Sequence, residues 1–170
     1  MSEPLVSARD SGWRFLPLTV VLLVLDQLSK AWITGRLALH ESITLLPVLD
    51  IVRAHNTGAA WSFLANAGGW QRWFFTLLAV AVSGGILYWL RKLDGRRMVL
   101  QSLGLSLVLA GALGNVIDRV RLGYVVDFVG VHWKDAWFPA FNVADSGITI
   151  GVGFLLLDAL LDSRRKKAAA

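Results

Sequence analysis

The chain of 170 residues contains no cysteine, so it can have no disulfide, no thiol nucleophile and no cysteine-ligated metal. Histidine is nearly as scarce. His40, His55 and His132 are scattered, with no HExxH or similar ligand spacing, which removes the sequence case for a zinc site. Charge is thin, with 17% of residues Asp, Glu, Lys or Arg against 55% hydrophobic, and the mean hydropathy is +0.57. That balance excludes an ordinary soluble domain. Internal repeats and low-complexity segments are also missing.

What is there is long apolar runs. A membrane span needs about 20 mostly apolar residues at about 1.5 Å each, and four stretches qualify, at about 13–33, 71–90, 98–118 and 144–161. The two longer connections, about 34–70 and 119–143, leave no room for a separate soluble domain, so residues 1–170 read as a single membrane domain. Arg9 and Arg14 before the first run resemble the start of a signal peptide. The run is too long for that, carries Asp26 and Lys30, and lacks a small-x-small cleavage site, so it is read as a retained helix.

The net charge of +5 invites a nucleic-acid partner, but the positions of the charges exclude one. Arg9 and Arg14 precede the first helix, Arg91, Lys92, Arg96 and Arg97 fill the loop after the second, and Arg164, Arg165, Lys166 and Lys167 follow the fourth. With four spans these clusters share one side, which the positive-inside rule makes cytoplasmic, with both termini there. The C-terminal basic run is a topology signal and a contact for anionic lipids of the bilayer. Trp13, Tyr88 and Trp89 fall near the inner interface, and Trp32, Trp70 and Trp73 near the outer one.

In the first outward connection, residues 43–54 are β-branched and turn-bounded and predict one or two short strands. The AAWSFLANAGG segment that follows predicts a short interfacial helix. Gly147 and Gly151 on the fourth helix, with Gly104, Gly111 and Gly114 on the third, predict close helix packing. The fold class is therefore an all-α integral membrane protein of four transmembrane helices with a small extramembrane β segment and an interfacial helix.

Ionisable groups in a membrane span need a partner or a function. Asp26 and Lys30 are spaced for a helical ion pair anchoring the first helix. Asp118, beside Arg119 and near Arg121, predicts charge pairing at a helix end. Asp145 lies three residues after Asn142 in the first turn of the fourth helix, where the dipole favours an acid. Asp127 sits in an apolar VVDFVG stretch with no structural reason in view. Asp158 is 13 residues beyond Asp145, about 20 Å down the helix, and is excluded from a site at the outer surface, as is Asp162. The outer set is then Asp26, Lys30, Asn56, Asn115, Arg119, Asp127, Asn142 and Asp145, convergent polar groups in an apolar wall. Two carboxylates among them with room to meet suggest an aspartic protease.

In the segments DQLSK (26–30), NTGAAWSFL (56–64), GALGNVIDR (111–119), VVDF (125–128) and FNVADS (141–146), the sequence resembles the lipoprotein signal peptidases, the type II signal peptidases of bacteria. The resemblance implies an inner-membrane aspartic endopeptidase that removes signal peptides from prolipoproteins, cutting N-terminal to a diacylglyceryl-modified cysteine near the periplasmic face. Asp127 and Asp145 match the family's catalytic dyad. Asn56, Gly58, Asn115, Arg119 and Asn142 match its substrate-lining positions, and Asp26 and Lys30 a structural pair. Trp61 stands where many relatives have Phe. The outward β segment and interface helix resemble the family's extramembrane cradle and lid. Two carboxylates sharing a site retain one proton, so that the ionised partner activates water and the protonated one polarises the carbonyl. The partners expected are the diacylated prolipoprotein and the phospholipid bilayer. No metal, organic cofactor or obligate protein partner is expected. The competing readings are a proton-coupled transporter, which predicts polar residues through the whole depth of the bundle, and a non-enzymatic assembly factor.

Overall fold

The computed structural model describes residues 7, 9–58, 63–64, 67–134 and 136–169. A 3-10 turn, Gly12–Phe15, leads into α1 (Leu16–Arg36), and α2 (Trp70–Lys92), α3 (Val99–Leu122) and α4 (Val143–Ala169) follow. All four helices are long and apolar enough to cross a membrane. Each reaches past the apolar windows read from sequence, α3 to Leu122 and α4 to Ala169. Hydropathy marks the part of a helix that lipid solvates, whereas backbone hydrogen bonds carry the helix on through polar residues such as Arg121 and Lys166.

The termini of these helices follow local chemistry. Pro17 occupies the first turn of α1, where no backbone donor is required. α3 stops at Gly123, which takes φ 90° and donates its N–H to the Arg119 carbonyl, a left-handed cap that side-chain-bearing residues rarely adopt.

α3 is the central helix. Its apolar window is 56% buried, against 17–22% for the others, and it packs on α1, α2 and α4. Lipid tails are as apolar as leucine, so tight backbone approach rather than water exclusion holds such a bundle. The glycines predicted for that purpose serve it. A Cβ on Gly104 would come within 2.7 Å of the Gly151 carbonyl, one on Gly151 within 2.6 Å of the Gly104 carbonyl, and one on Gly111 would collide with the Ala144 carbonyl. Gly111→Leu is therefore expected to wedge α3 from α4 at about 1–3 kcal/mol and lower the melting temperature in detergent, whereas Gly153→Leu, which faces open space, should melt as wild type does. Outward-facing side chains such as Val21, Leu25, Leu77, Val80, Leu156 and Leu160 form the apolar exterior.

At one end of the bundle lies a four-stranded antiparallel sheet in the order β1 (Ser42–Leu46), β2 (Leu49–Asn56), β3 (Val125–Trp133) and β4 (Ala136–Trp137). β1 and β2 are the two short strands predicted in the first connection, joined through Pro47 and Val48. β3 lies in the second connection, where no strand was expected. The sheet is fastened to α1 by an apolar cluster of Ile33, Leu37 and Phe128, and by Arg53, whose Nη1 donates to the carbonyls of Thr34 (3.2 Å) and Leu37 (2.9 Å) at the helix end. The expected interfacial helix falls largely on residues 59–62, 65 and 66, outside the described residues.

At the opposite end, the chain before α1 is clasped to the α2–α3 loop. Gly12 N–H donates to the Leu93 carbonyl at 3.1 Å and Gly95 N–H to the Asp10 carbonyl at 2.8 Å, while Arg96 pairs with Asp10 at 2.7 Å. A Cβ at Gly95 would lie 2.5 Å from the Ser11 carbonyl, so the contact is backbone on backbone.

Candidate active site

Asp127 stands in β3 opposite Ala54 of β2. Side chains on one face of a strand pair reach their diagonal neighbours, and Asn56, two residues beyond Ala54, donates from Nδ2 to Asp127 Oδ2 at 3.1 Å. Asp127 Oδ1 accepts from Asn142 Nδ2 at 2.7 Å. The carboxylate is 3% exposed. Burial, and then the charge of Asp145, push its pKa up to about 7.

Asp145 arrives from the first turn of α4. Asn142 caps that helix: its Oδ1 accepts from Asp145 N–H at 2.9 Å, and Asp145 Oδ2 accepts in return from Asn142 N–H at 3.3 Å. This reciprocal pair is a capping box built from Asn and Asp. The remaining oxygen, Asp145 Oδ1, accepts from Asn115 Nδ2 of α3 at 2.8 Å. α4 thus brings Asp145 and Asn142 to the site together, and Asn142 touches both carboxylates.

Beneath them Lys30, 3% exposed, donates to Asp26 Oδ2 and Asp118 Oδ2, both at 2.9 Å, and to Asn115 Oδ1 at 3.2 Å, which uses all three ammonium hydrogens. Asp26 Oδ1 also accepts from Ala144 N–H at 2.9 Å, so α1 helps to cap α4. Asp118 Oδ2 accepts from Val126 N–H at 3.1 Å, fastening the start of β3. Gly114 makes room, since a Cβ there would sit 2.6 Å from Asp26 Oδ2. The expectation for Asp118 is corrected here: it pairs with Lys30 rather than Arg119 or Arg121. Adjacent residues on a helix point in different directions, and a neighbouring helix supplied the nearer cation.

The direction of every amide is fixed by chemistry. An ammonium can only donate, so Asn115 turns its carbonyl to Lys30 and its NH2 to Asp145. Asn142 gives its carbonyl to Asp145 N–H, and Asn56 gives its carbonyl to Gly58 N–H at 3.0 Å, so both turn their NH2 groups to Asp127. The three asparagines are wired one way, as donors to the two carboxylates. Arg119 stands behind the Asn56–Gly58 turn, donating from Nη2 to the Gly58 carbonyl at 2.9 Å with its guanidinium 5.4 Å from the Phe75 ring centre.

Gln27 was missed by the sequence reading. Its Nε2 lies within hydrogen-bond distance of Asp26 Oδ2 and Asp118 Oδ1 (3.1 Å each) and of the Gly114 carbonyl (3.3 Å). Its signal was its place inside the DQLSK segment. Among the described residues no three His, Asp or Glu side chains are placed to hold a metal ion. His55 stacks on Tyr124 at 3.7 Å, and burial, followed by Arg53 and His40, lowers its pKa and disfavours its charged form. His132 stacks on Trp137 beside Asp50. Asp162 pairs with Lys166, far down α4 from Asp145.

The sequence profile of a family described as signal peptidase (SPase) II matches residues 18–161. A lipoprotein signal peptidase of Pseudoalteromonas translucida (strain TAC 125) is 48% identical over 163 residues, covering 96% of this chain and 98% of its own. One from Shewanella loihica is 47% identical over 159 residues, covering 94% and 93%. A solved bacterial membrane enzyme, determined by the in meso method at 2.3 Å resolution, superposes with a TM-score of 0.78 at 34% identity, covering 87% of this chain and 88% of its own.

Proposed function

The chain belongs to the signal peptidase II family and is a multi-pass membrane protease that removes signal peptides from prolipoproteins, and we propose that it does so as an aspartic endopeptidase with Asp127 and Asp145 as its catalytic pair. The observation that carries this reading is the convergence of two carboxylates at one end of the bundle, with all four oxygens facing amide or backbone N–H donors. Burial and the repulsion between two neighbouring charges favour one retained proton on the pair, while the donors stabilise the charge that remains. The ionised carboxylate takes a proton from water as the oxygen attacks the scissile carbonyl carbon, and its protonated partner delivers a proton to the carbonyl oxygen. Collapse of the tetrahedral diol breaks the C–N bond and passes a proton to the leaving amine. No metal or organic cofactor enters these steps.

Asn56, Gly58, Asn115, Arg119 and Asn142 line the same end, where they orient the carboxylates and meet substrate peptide groups. Asp26 and Lys30 are a structural pair within the chain's single membrane domain. The clasp end carries Arg91, Lys92, Arg96 and Arg97, which makes it cytoplasmic together with both termini and puts the site near the periplasmic face. At that depth a diacylglyceryl group stays in the outer leaflet while the bond N-terminal to its cysteine reaches the carboxylates. The test is cleavage of a purified prolipoprotein with and without its diacylglyceryl group. The lipidated form should be cut at least about tenfold faster, and equal rates would overturn the lipid requirement.

A further inference from the structure

The two carboxylates do not sit in equivalent surroundings. Asp127 accepts hydrogen bonds from two neutral side-chain amides, those of Asn56 and Asn142. Asp145 accepts from an amide whose other end is held by the Lys30 ammonium, and it lies in the first turn of α4, at the positive end of the helix dipole. A cation bound to an amide carbonyl polarises the N–H on the far side and strengthens its bond to a carboxylate. We propose that Lys30 is a positioning residue which, acting through Asn115, makes the pair unsymmetrical, keeping Asp145 as the charged member that activates water and leaving the proton on Asp127.

The other charged groups around Asp145 leave this bias in place. From α1, the Lys30 ammonium acts on both carboxylates but reaches an amide donor only on the Asp145 side, and Asp26, which opposes a charge on Asp145, is itself paired with Lys30 and accepts from Gln27 and Ala144 N–H. From α3, Asp118 is spent on Lys30, Gln27 and Val126 N–H, and Arg119 acts on both Asp145 and Asp127. From β3, the charge of Asp127 opposes that of Asp145. Asp127 meets the N-terminus of α4 only through the Asn142 side chain and is buried on a strand, and burial favours its neutral form.

This rests on the aspartic reading, and the experiment separates the two. The pH dependence of kcat/KM on a diacylated prolipoprotein is measured for wild type, Asn115→Ala and Asn115→Ser. Both variants keep the Lys30 ion pairs, and their folding is checked by melting. If Asp145 carries the charge in both the singly and the doubly ionised pair, loss of the Asn115 donor raises only the first ionisation. The acid limb should then move up by about one unit while the alkaline limb stays. Movement of the alkaline limb alone would make Asp127 the charged member, and a uniform fall in rate with both limbs fixed would make Asn115 merely structural; either overturns the proposal. An infrared band from a protonated carboxyl, present in wild type at about pH 6, should be missing in Asp127→Asn, and its persistence would put the proton on Asp145. Retention of full cleavage by both Asp127→Asn and Asp145→Asn would instead defeat the aspartic reading itself.

Discussion

Asp127→Asn and Asp145→Asn are each expected to lower prolipoprotein cleavage by about a thousandfold or more while the protein remains folded, because each removes one of the two groups proposed to transfer protons. Folding can be separated from chemistry through linkage. The folded-state pKa of Asp127 is raised to about 7, so between its unfolded value and about 7 the folded protein binds more protons than the unfolded chain. Stability contributed by this group therefore falls as pH rises through that window. The uncharged amide introduced by Asp127→Asn avoids that loss, although it gives up one of the two hydrogen bonds from Asn56 and Asn142. At about pH 8 the variant should melt within a few degrees of wild type, and an inactive protein that also melts far lower would show a folding defect rather than a missing acid. The same pKa predicts that wild-type cleavage declines above roughly neutral pH, as the proton on the pair is lost.

Lys30→Met should be the most damaging change to stability, at about 3–5 kcal/mol, with most of the protein lost from the folded fraction in detergent. The methionine fills similar volume, so the damage is electrostatic. Asp26 and Asp118, 0% and 3% exposed, would be left as buried carboxylates without their shared cation. Asp26→Asn and Asp118→Asn added to Lys30→Met should then recover part of the loss, because the charges that made the vacancy costly are gone. Absence of any recovery would mean that Lys30 is needed for its shape or for its bond to Asn115 instead.

The helices were legible because a membrane imposes a length on them, and the glycine stripes on α3 and α4 were legible because close packing demands small residues. The polar residues expected to converge could be picked out because charge inside an apolar run is costly enough to require a reason. β3 was not legible. Val125, Val126, Asp127 and Phe128 are all buried, so the inward and outward alternation that reveals a strand is missing, and its partner β2 lies some seventy residues earlier. Asp118 misled for a related reason: the sequence displays its neighbours along the chain, while its partners Lys30, Gln27 and Val126 come from α1 and β3. Distances along one helix could be inferred, but contacts between elements could not.

The clasp at the far end fixes the point about which α1 could turn. With the segment before α1 bonded backbone to backbone to the α2–α3 loop, any splaying of α1 from its neighbours must pivot about Gly12 and Gly95. A rotation there is geared up along the helix: over the about 30 Å of a twenty-residue span, each degree at the pivot moves the sheet end by about half an ångström. Such a turn would have its fulcrum at the clasp and its greatest lateral reach at the sheet end, beside the two carboxylates.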